Sequence, residues 1–387
     1  QPLKSVLSDL KLRSSYGVNG NLPSSYYGYQ STYTTGAFYN GKPSPWESTL
    51  GNEELTWEKN YALNLGLDIG LFSRVNVSLD WYTRTTKDLL MSKQLNSISG
   101  FSSLLTNVGQ MRNTGVELEV RSNNIKTKDF SWTTAFNLSH NKNKILKLAD
   151  LPWFVDGRYV RKEGYPFNTI YLREYAGVDP ETGSALYYDN QQDENGNYTK
   201  NKVTDPGQAS PIPLKDITPT ISGGFMNTFN YKSWELNLNF SYNFGAYVKT
   251  TPSYSLTKFD ASRNTNRDIL DRWTPENKNG KFPAILTAAS NPAEYSLLFD
   301  QPRIYNSLDI WVKKLNYIRL QNIRLAYQIP SKLLNRININ GATVAVEARN
   351  LFVFGSSYKN YLDPESMGNL YATPIAKSVT FNLSLNF

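Results

Sequence analysis

The chain contains the stretch Val379-Thr-Phe-Asn-Leu-Ser-Leu-Asn-Phe387, in which apolar and polar residues alternate without a break. Successive side chains of a β-strand point to opposite faces. One face of this strand is therefore entirely apolar, while the other carries only Thr, Asn and Ser. A strand of this kind fits between an apolar environment and an aqueous one.

The same alternation recurs along the chain. Residues 61–71 place Tyr, Leu or Ile at every odd position, and residues 75–81 continue that phase after a turn at 72–74. The other clear segments are 116–120, 130–138, 225–231, 234–244, 315–329 and 343–351, and weaker ones are 10–17, 168–176 and 185–189. Strands longer than about nine residues match a tilted membrane crossing, whereas soluble strands usually have about five or six residues.

The connections between these segments alternate in length. Short turns are expected near 72–74, 122–129, 232–233 and 330–340, and long segments near 18–56, 89–113, 141–167, 190–219, 249–310 and 352–376. Outer-membrane barrels have short periplasmic turns and long extracellular loops. The sequence therefore predicts an all-β fold, an antiparallel transmembrane β-barrel wall of roughly twelve strands, with long extracellular loops and both ends on the periplasmic side.

Composition is consistent with this fold. The chain has 40% hydrophobic residues and a mean hydropathy of −0.49, and it lacks an apolar run near the ~20 residues of a membrane helix. Aromatic residues make up 13%, including 26 Tyr, which suits interfacial girdles. There is no Cys, and the single His140 ends an alternating run. The net charge of +8 is scattered rather than clustered, so no nucleic-acid partner is predicted.

Several segments carry a family resemblance. They are Leu10-Lys-Leu-Arg-Ser-Ser-Tyr-Gly-Val-Asn-Gly-Asn21, Leu50-Gly-Asn-Glu-Glu-Leu-Thr-Trp-Glu58, Gly100-Phe-Ser-Ser-Leu-Leu-Thr-Asn-Val-Gly109, Asn113-Thr-Gly-Val-Glu-Leu118, Glu174-Tyr-Ala-Gly-Val-Asp-Pro-Glu-Thr-Gly183, Leu315-Asn-Tyr-Ile-Arg-Leu-Gln-Asn-Ile-Arg-Leu-Ala-Tyr-Gln-Ile-Pro330 and Glu347-Ala-Arg-Asn-Leu-Phe352. In this order, and over nearly the whole chain, they resemble the SusC/RagA family of TonB-dependent outer-membrane transporters.

The resemblance implies a barrel of about 22 strands in the Gram-negative outer membrane. It also implies an amino-terminal plug, a segment that contacts TonB, a SusD-like lipoprotein lid and an oligosaccharide or peptide substrate. No plug precedes the strands in this sequence. We therefore expect residues 1–387 to be the carboxyl-terminal part of the barrel, about half of it, with the plug and the amino-terminal strands supplied by a complementary chain. An isolated half would expose open sheet edges to lipid.

The sequence predicts a binding protein rather than an enzyme. We find no nucleophile elbow, phosphate loop, dinucleotide fingerprint or zinc motif, and we predict no catalytic residue, cofactor or metal. Residues 191–202 have partial EF-hand spacing, but Gln191 and Lys202 replace acidic ligands, so we interpret this segment as a loop turn.

Two groups of candidate site residues follow from the expected fold. Loop aromatic residues offer flat apolar surfaces for sugar rings or peptide side chains; alternatively they order their loops or contact a capping partner. These substrate-binding candidates are Tyr26, Tyr27, Tyr29, Trp46, Trp153 and Trp273. Charged residues within the strands should face the lumen, because Arg on the lipid face costs about 2–4 kcal/mol at the membrane midplane. These lumen-facing candidates are Arg13, Asp68, Glu117, Glu119 and Arg319.

Three other functions stay open at this point. A passive porin or a siderophore-type transporter would share the barrel pattern. A secreted all-β carbohydrate-binding or adhesin module would bury the apolar stripes between two stacked sheets. A surface glycosidase would need paired acids, for which Glu53 and Glu54 are the candidates.

Overall fold

The computed structural model describes residues 6–23, 27–148, 151–250, 267–287, 305, 307–334, 339–356, 363–366 and 373–386. Within these ranges the chain is built almost entirely of strands. In chain order they are β1 (Leu7–Asn21), β2 (Thr32–Tyr39), β3 (Lys42–Thr49), β4 (Glu58–Leu71), β5 (Val75–Gln94), β6 (Ser103–Lys126), β7 (Phe130–Leu148), β8 (Trp153–Asp156), β9 (Tyr159–Lys162), β10 (Thr169–Leu172), β11 (Tyr175–Val178), β12 (Ala185–Tyr188), β13 (Lys202–Val203), β14 (Ile212–Asp216), β15 (Ile221–Tyr231), β16 (Trp234–Lys249), β17 (Val312–Ile329), β18 (Gly341–Phe354) and β19 (Ser378–Asn386).

The helical elements given in full by the described residues are single turns. They are four 3₁₀ turns, Ser97–Ser99, Pro206–Gln208, Arg267–Asp271 and Asp309–Trp311, and one α-helical turn, α1 (Ser331–Leu334). Among the described residues, no helix is both long enough and apolar enough to cross a membrane.

Ten strands form one antiparallel sheet in the order β1-β4-β5-β6-β7-β15-β16-β17-β18-β19. Each of these strands pairs with the next one of the series, so the sheet is an up-and-down meander. Strands β2 and β3 form a separate hairpin within the β1–β4 connection, and β8–β14 form two smaller sheets within the β7–β15 connection. The predicted antiparallel barrel wall is confirmed, as a partial barrel.

The short turns lie at one end of the sheet. Between β4 and β5 the amide of Arg74 donates to the carbonyl of Leu71 at 3.0 Å, and the two central residues, Phe72 and Ser73, have φ of 53° and 52°. Positive φ at both central positions defines the hairpin turn whose twist matches that of paired strands. The β6–β7 and β15–β16 turns lie at the same end, at 127–129 and 232–233.

The apolar residues of successive strands are in register. Leu12 pairs with Leu67, Leu67 with Leu79, Leu79 with Leu118 and Leu118 with Leu138. At the other side of the sheet the register pairs Leu236 with Leu325, Leu325 with Val346, and Val346 with Phe381. This matching places every apolar stripe on one continuous surface, which we call the apolar face.

The apolar face is open rather than covered by a second layer. Leu12 is 81% exposed, Phe381 77% and Leu383 64%. Large apolar side chains with such exposures are not the interior of a sandwich of two sheets. This observation argues against the secreted sandwich module that the sequence left open.

The apolar face has the dimensions of a bilayer core. From Tyr61 to Leu71 the stripe of β4 covers ten steps, about 33 Å along the strand, or about 25 Å of height at the usual barrel tilt. Aromatic pairs lie toward the short-turn end, with Trp234 and Tyr327 4.6 Å apart between ring centroids. Others lie toward the opposite end, where the rings of Tyr242 and Phe244 are 5.6 Å apart. Such girdles mark the two membrane interfaces of outer-membrane barrels.

The structure differs from the sequence prediction in three places. The main sheet has ten strands, because segments 168–176 and 185–189 contribute to the small sheets instead. The segment 89–113, expected as a loop, is mostly strand, since β5 reaches Gln94 and β6 begins at Ser103. Leu89, Met91, Ile145 and Leu148 form a buried cluster there, so this part of the sheet is held by its own small core.

Candidate functional site

The face opposite the apolar face carries a network of charges centred on Arg13. Its Nε donates to Asp68 Oδ2 at 2.8 Å, and its Nη2 donates to Asp80 Oδ2 at 2.8 Å and to Ser78 Oγ at 3.0 Å. Gly66 makes this arrangement possible, because a Cβ at that position would lie only 2.6 Å from Arg13 Cζ. Three strands are thereby joined through one guanidinium group.

The other predicted charged residues lie on the same face. Glu117 pairs in register with Asp80, and Glu119 pairs with Ser78. Glu119 also accepts a hydrogen bond from Arg121 Nε at 2.5 Å. The structure therefore brings Arg13, Asp68, Glu117 and Glu119 to one polar region of the sheet.

Arg319 lies on the same face but in another part of the sheet. Its side chain is 1% exposed, and its guanidinium group pairs with Asp363 and with Glu365 Oε1, the latter at 2.8 Å. Both acids belong to the connection between β18 and β19. Arg319 thus ties that connection back onto the sheet, a contact that the sequence did not indicate because the partners are more than 40 residues away.

The long connections at the other end of the sheet fold into a structured unit, which we call the cap. Its described parts are residues 151–220, 267–287, 305 and 307–311. A buried cluster joins them: Ala185, Tyr187, Ala209, Ile269, Phe282, Leu286, Tyr305, Leu308 and Trp311. Arg173 Nε donates to the carbonyls of Pro206 and Ala209, and the amide of Tyr175 donates to Asp309 Oδ1 at 2.8 Å. Two connections far apart in sequence therefore form one core.

Trp153 borders a cleft in the cap of about 410 Å³. Its ring lies 6.1 Å from that of Tyr171, and Tyr198 lines the same cleft with Gln191 and Ser210. Burial, followed by the neighbouring Tyr198, raises the pKa of the Tyr171 hydroxyl. A concave surface with aromatic walls and a few amide and hydroxyl groups is the usual composition of a site for a small polar ligand.

The remaining aromatic candidates among the described residues do not line this cleft. Tyr26 lies outside the described residues. Tyr27, Tyr29 and Trp46 are exposed beside or on the β2–β3 hairpin. Trp273 packs over Gly183, and its Nε1 donates to the carbonyl of Pro180 at 3.0 Å, so this residue orders two cap segments against each other.

Sequence reasoning missed most residues of the cleft. Tyr171 and Tyr198 come from separate segments, and Asn190, which is 2% exposed with φ of 49°, sits at the corner between them. Their only sequence signal is the local density of Tyr and amide residues in 187–198. Position in the cleft depends on the pairing of small strands, which period-two patterns do not specify.

The segment 191–202 folds as the turn that the sequence indicated. Asp193 accepts the amides of Asn195 and Asn197 at 2.9 and 2.8 Å. The hydrogen bond from the Asn197 amide is the main cause of the lowered pKa of this carboxyl. In the described part of the chain, no group of three or more His, Asp or Glu residues is arranged to hold a metal ion.

Comparison with known proteins places these features in context. Residues 5–351 match the family model "TonB dependent receptor-like, beta-barrel". The chain is 29% identical to TonB-dependent receptor P3 of Formosa agariphila over 99% of its own length and 40% of the relative. It is 26% identical to TonB-dependent receptor SusC of Bacteroides thetaiotaomicron, over 98% of its length and 38% of the relative.

A solved structure of the RagAB peptide transporter shares the fold. The TM-score is 0.82 at 30% identity, covering 99% of this chain and 41% of that one. The chain thus spans about two fifths of the length of the relatives that it matches. The family model and the structural match both extend over most of the chain. On these grounds the chain belongs to the TonB-dependent receptor-like β-barrel family.

Proposed function

We propose that this chain forms part of the wall of a TonB-dependent nutrient importer in the Gram-negative outer membrane. The carrying observation is the open apolar face, in register across ten strands and about as tall as a bilayer core. The opposite face, with the Arg13 network, Glu117, Glu119 and Arg319, would then line the lumen, since these charges are compatible with water but not with lipid.

The rest of the importer would come from outside residues 1–387. A complementary amino-terminal portion would supply the remaining strands and the plug, and contact with TonB would be made there. This division is supported by the two fifths of each relative that the chain covers. The likeness to SusC and RagAB supports a SusD-like lipoprotein as lid over the cap end. The proposed role is transport without catalysis.

The substrate is proposed to be an oligosaccharide or a peptide that contacts the cap. Trp153, with Tyr171, would contact it in the cap cleft, while Tyr27, Tyr29 and Trp46 would contact either the substrate or the lid. The cleft volume of about 410 Å³ suits a short segment of such a polymer rather than a whole chain.

Uptake measurements test the energised step. Cells carrying the full-length transporter should accumulate its substrate only when TonB is present, whereas a passive porin would take it up equally in cells without TonB. Equal uptake in the two strains would reject the proposal.

The cap cleft has its own test. Trp153→Ala should weaken substrate binding to the purified transporter about tenfold, which corresponds to ~1.4 kcal/mol. Phe38→Ala is the matched control, because Phe38 is 72% exposed on β2 and lies outside the cleft. Equal binding by both variants and the parent protein would remove Trp153 from the site.

A further inference from the structure

A second cavity lies between the cap and the end of the sheet below it. Its volume is about 450 Å³, and its walls include Arg158, Tyr159, Lys249, Tyr247, Tyr317 and Glu365. Arg158 comes from the β8–β9 turn, and Lys249 is the last residue of β16. The cavity therefore sits where a molecule leaving the cap would enter the interior of a closed barrel.

Two positive charges face each other in this cavity. Lys249 lies beyond Phe244, the last aromatic residue of β16 on the apolar face, and therefore outside the membrane-spanning part of the strand. Burial, and then the positive charge of Arg158, lowers the pKa of the Lys249 ammonium group. Neither side chain forms an ion pair within the described residues, and Lys215, which is not a wall residue, lies with its Nζ 5.9 Å from the ring centroid of the wall residue Tyr247.

The carboxylate in the cavity wall, that of Glu365, already has a cationic partner. Glu365 Oε1 accepts the hydrogen bond from Arg319 Nε at 2.8 Å, and Asp363 pairs with the same guanidinium group. Arg319, Asp363 and Glu365 together carry one net negative charge, against the two positive charges of Arg158 and Lys249 in the cavity wall. The cavity as a whole is positive.

One wall residue also has an unmet hydrogen-bonding atom. Asn243 Oδ1 is buried and accepts no hydrogen bond from any described residue. A buried acceptor without a donor is unfavourable, because it has lost its hydrogen bond to water and gained none in exchange. The cavity wall thus holds two cations without an ion pair, and one acceptor without a donor, among the described residues. Such a wall suits a ligand in which an anionic group lies beside an N–H or O–H donor.

We propose that this cavity binds a carboxylate-bearing segment of the transported molecule. The carboxylate would lie between Arg158 and Lys249, and an adjacent N–H or O–H group would donate to Asn243 Oδ1. Bound in this way, the anion removes the repulsion between the two cations. The inference rests on the proposed import function only for the source of the ligand, because the charge preference belongs to the cavity itself.

Binding to the purified full-length transporter tests the charge preference. The probes are two pairs matched in size: a triglutamate and a triglutamine peptide, each acetylated at the amino terminus and amidated at the carboxyl terminus, and a trisaccharide of galacturonate and one of galactose. We expect the anionic member of at least one pair to bind about tenfold more tightly at low salt, with the advantage shrinking as ionic strength rises. The pair that shows it identifies the source as peptide or glycan.

Variants of the two cavity cations test whether the preference for anionic probes arises in this cavity. Arg158→Gln and Lys249→Gln should each reduce the preference severalfold, while the affinity for the neutral probe stays unchanged and shows that the fold is intact. Lys42→Gln is the control, since Lys42 is an exposed cation on the β2–β3 hairpin. Equal affinities within both probe pairs, or a preference that survives both cavity variants, would overturn the inference. TonB-dependent uptake is measured separately, so the loss of one proposal is distinguishable from the loss of the other.

Discussion

Asn227 is a polar residue on the apolar face, and its neighbours explain how it is tolerated. Its side chain is only 6% exposed, and Oδ1 accepts hydrogen bonds from Trp132 Nε1 at 2.8 Å and Thr134 Oγ1 at 2.7 Å. Two donors that would otherwise meet lipid are thereby satisfied by one acceptor. Sequence alternation alone could not show this, because the three residues belong to β7 and β15, which are more than 90 residues apart.

Replacing Asn227 should therefore destabilise the transporter. Asn227→Ala leaves the Trp132 indole and the Thr134 hydroxyl without their acceptor, which should cost about 1–3 kcal/mol of unfolding free energy in lipid vesicles. Asn237→Ala is the matched control, because Asn237 bonds Thr228 on the opposite face, where water can replace it. The same loss for both variants would contradict the role assigned to Asn227.

Arg13 gives a residue-scale prediction on the other face. Arg13→Gln leaves Asp68 and Asp80 facing each other without their shared partner, so the melting temperature of the folded transporter should fall. Neutralising the acids in the same protein, with Asp68→Asn and Asp80→Asn, should restore part of the loss. Lys11→Gln is the control: it removes one positive charge but leaves the hydrogen bonds of Arg13 in place, since Lys11 is exposed on the same strand and face. Heat-dependent gel mobility measures all three, and a drop in Lys11→Gln as large as in Arg13→Gln would exclude the network as the cause.

At the scale of elements, the sequence predicted strands correctly where apolar and polar residues alternate strictly. Residues 61–71 and 379–386 alternate strictly between large apolar and small or polar side chains, and both form strands in the expected phase. The cap lacks that strict alternation. Its strands have two to five residues, and its core joins residues 185–209 to residues 269–286, Tyr305, Leu308 and Trp311. The cleft at Trp153 depends on that long-range packing, so only Trp153 itself was predictable.

The cap core predicts a local effect of mutation. Trp311 is 3% exposed, stacks on Phe282 at 5.8 Å and donates its Nε1 hydrogen to the carbonyl of Tyr305. Trp311→Ala should cost the cap about 3–5 kcal/mol and make it sensitive to protease on intact cells, while the strands below stay resistant. Trp46→Ala, at a 57% exposed site, should change neither. An unaltered digestion pattern in Trp311→Ala would show that the cap does not depend on this core.

At the scale of the whole molecule, the apolar face makes a prediction about position in the bilayer. Leu65 is 46% exposed and lies near the middle of the β4 stripe. Leu65→Arg should destabilise the transporter in lipid vesicles by about 2–4 kcal/mol, because the charge meets the bilayer midplane. Asn64→Arg moves the same charge one residue along, onto the opposite face, and should have little effect. If Leu65→Arg and Asn64→Arg destabilised the transporter equally, the assignment of one face to lipid and the other to water would be wrong.

The two outermost strands of the sheet, β1 and β19, lead to a prediction about the mass of the folded protein. Within the described residues, β1 and β19 pair on one side only, with β4 and β18, so each presents an edge without a described partner, 15 residues long in β1 and 9 in β19. Each unpaired backbone group in the hydrocarbon region costs several kcal/mol, which no sheet of this length can offset. We therefore expect the protein extracted from membranes to hold these ten strands together with further strands that close both edges. Its intact mass, measured by native mass spectrometry in detergent, should exceed the 44.0 kDa of this chain, either in one polypeptide or in a tight complex. A folded species of 44.0 kDa, with neither additional sequence nor a second chain, would show that the edges close by some other means and would reject the proposed division of the barrel.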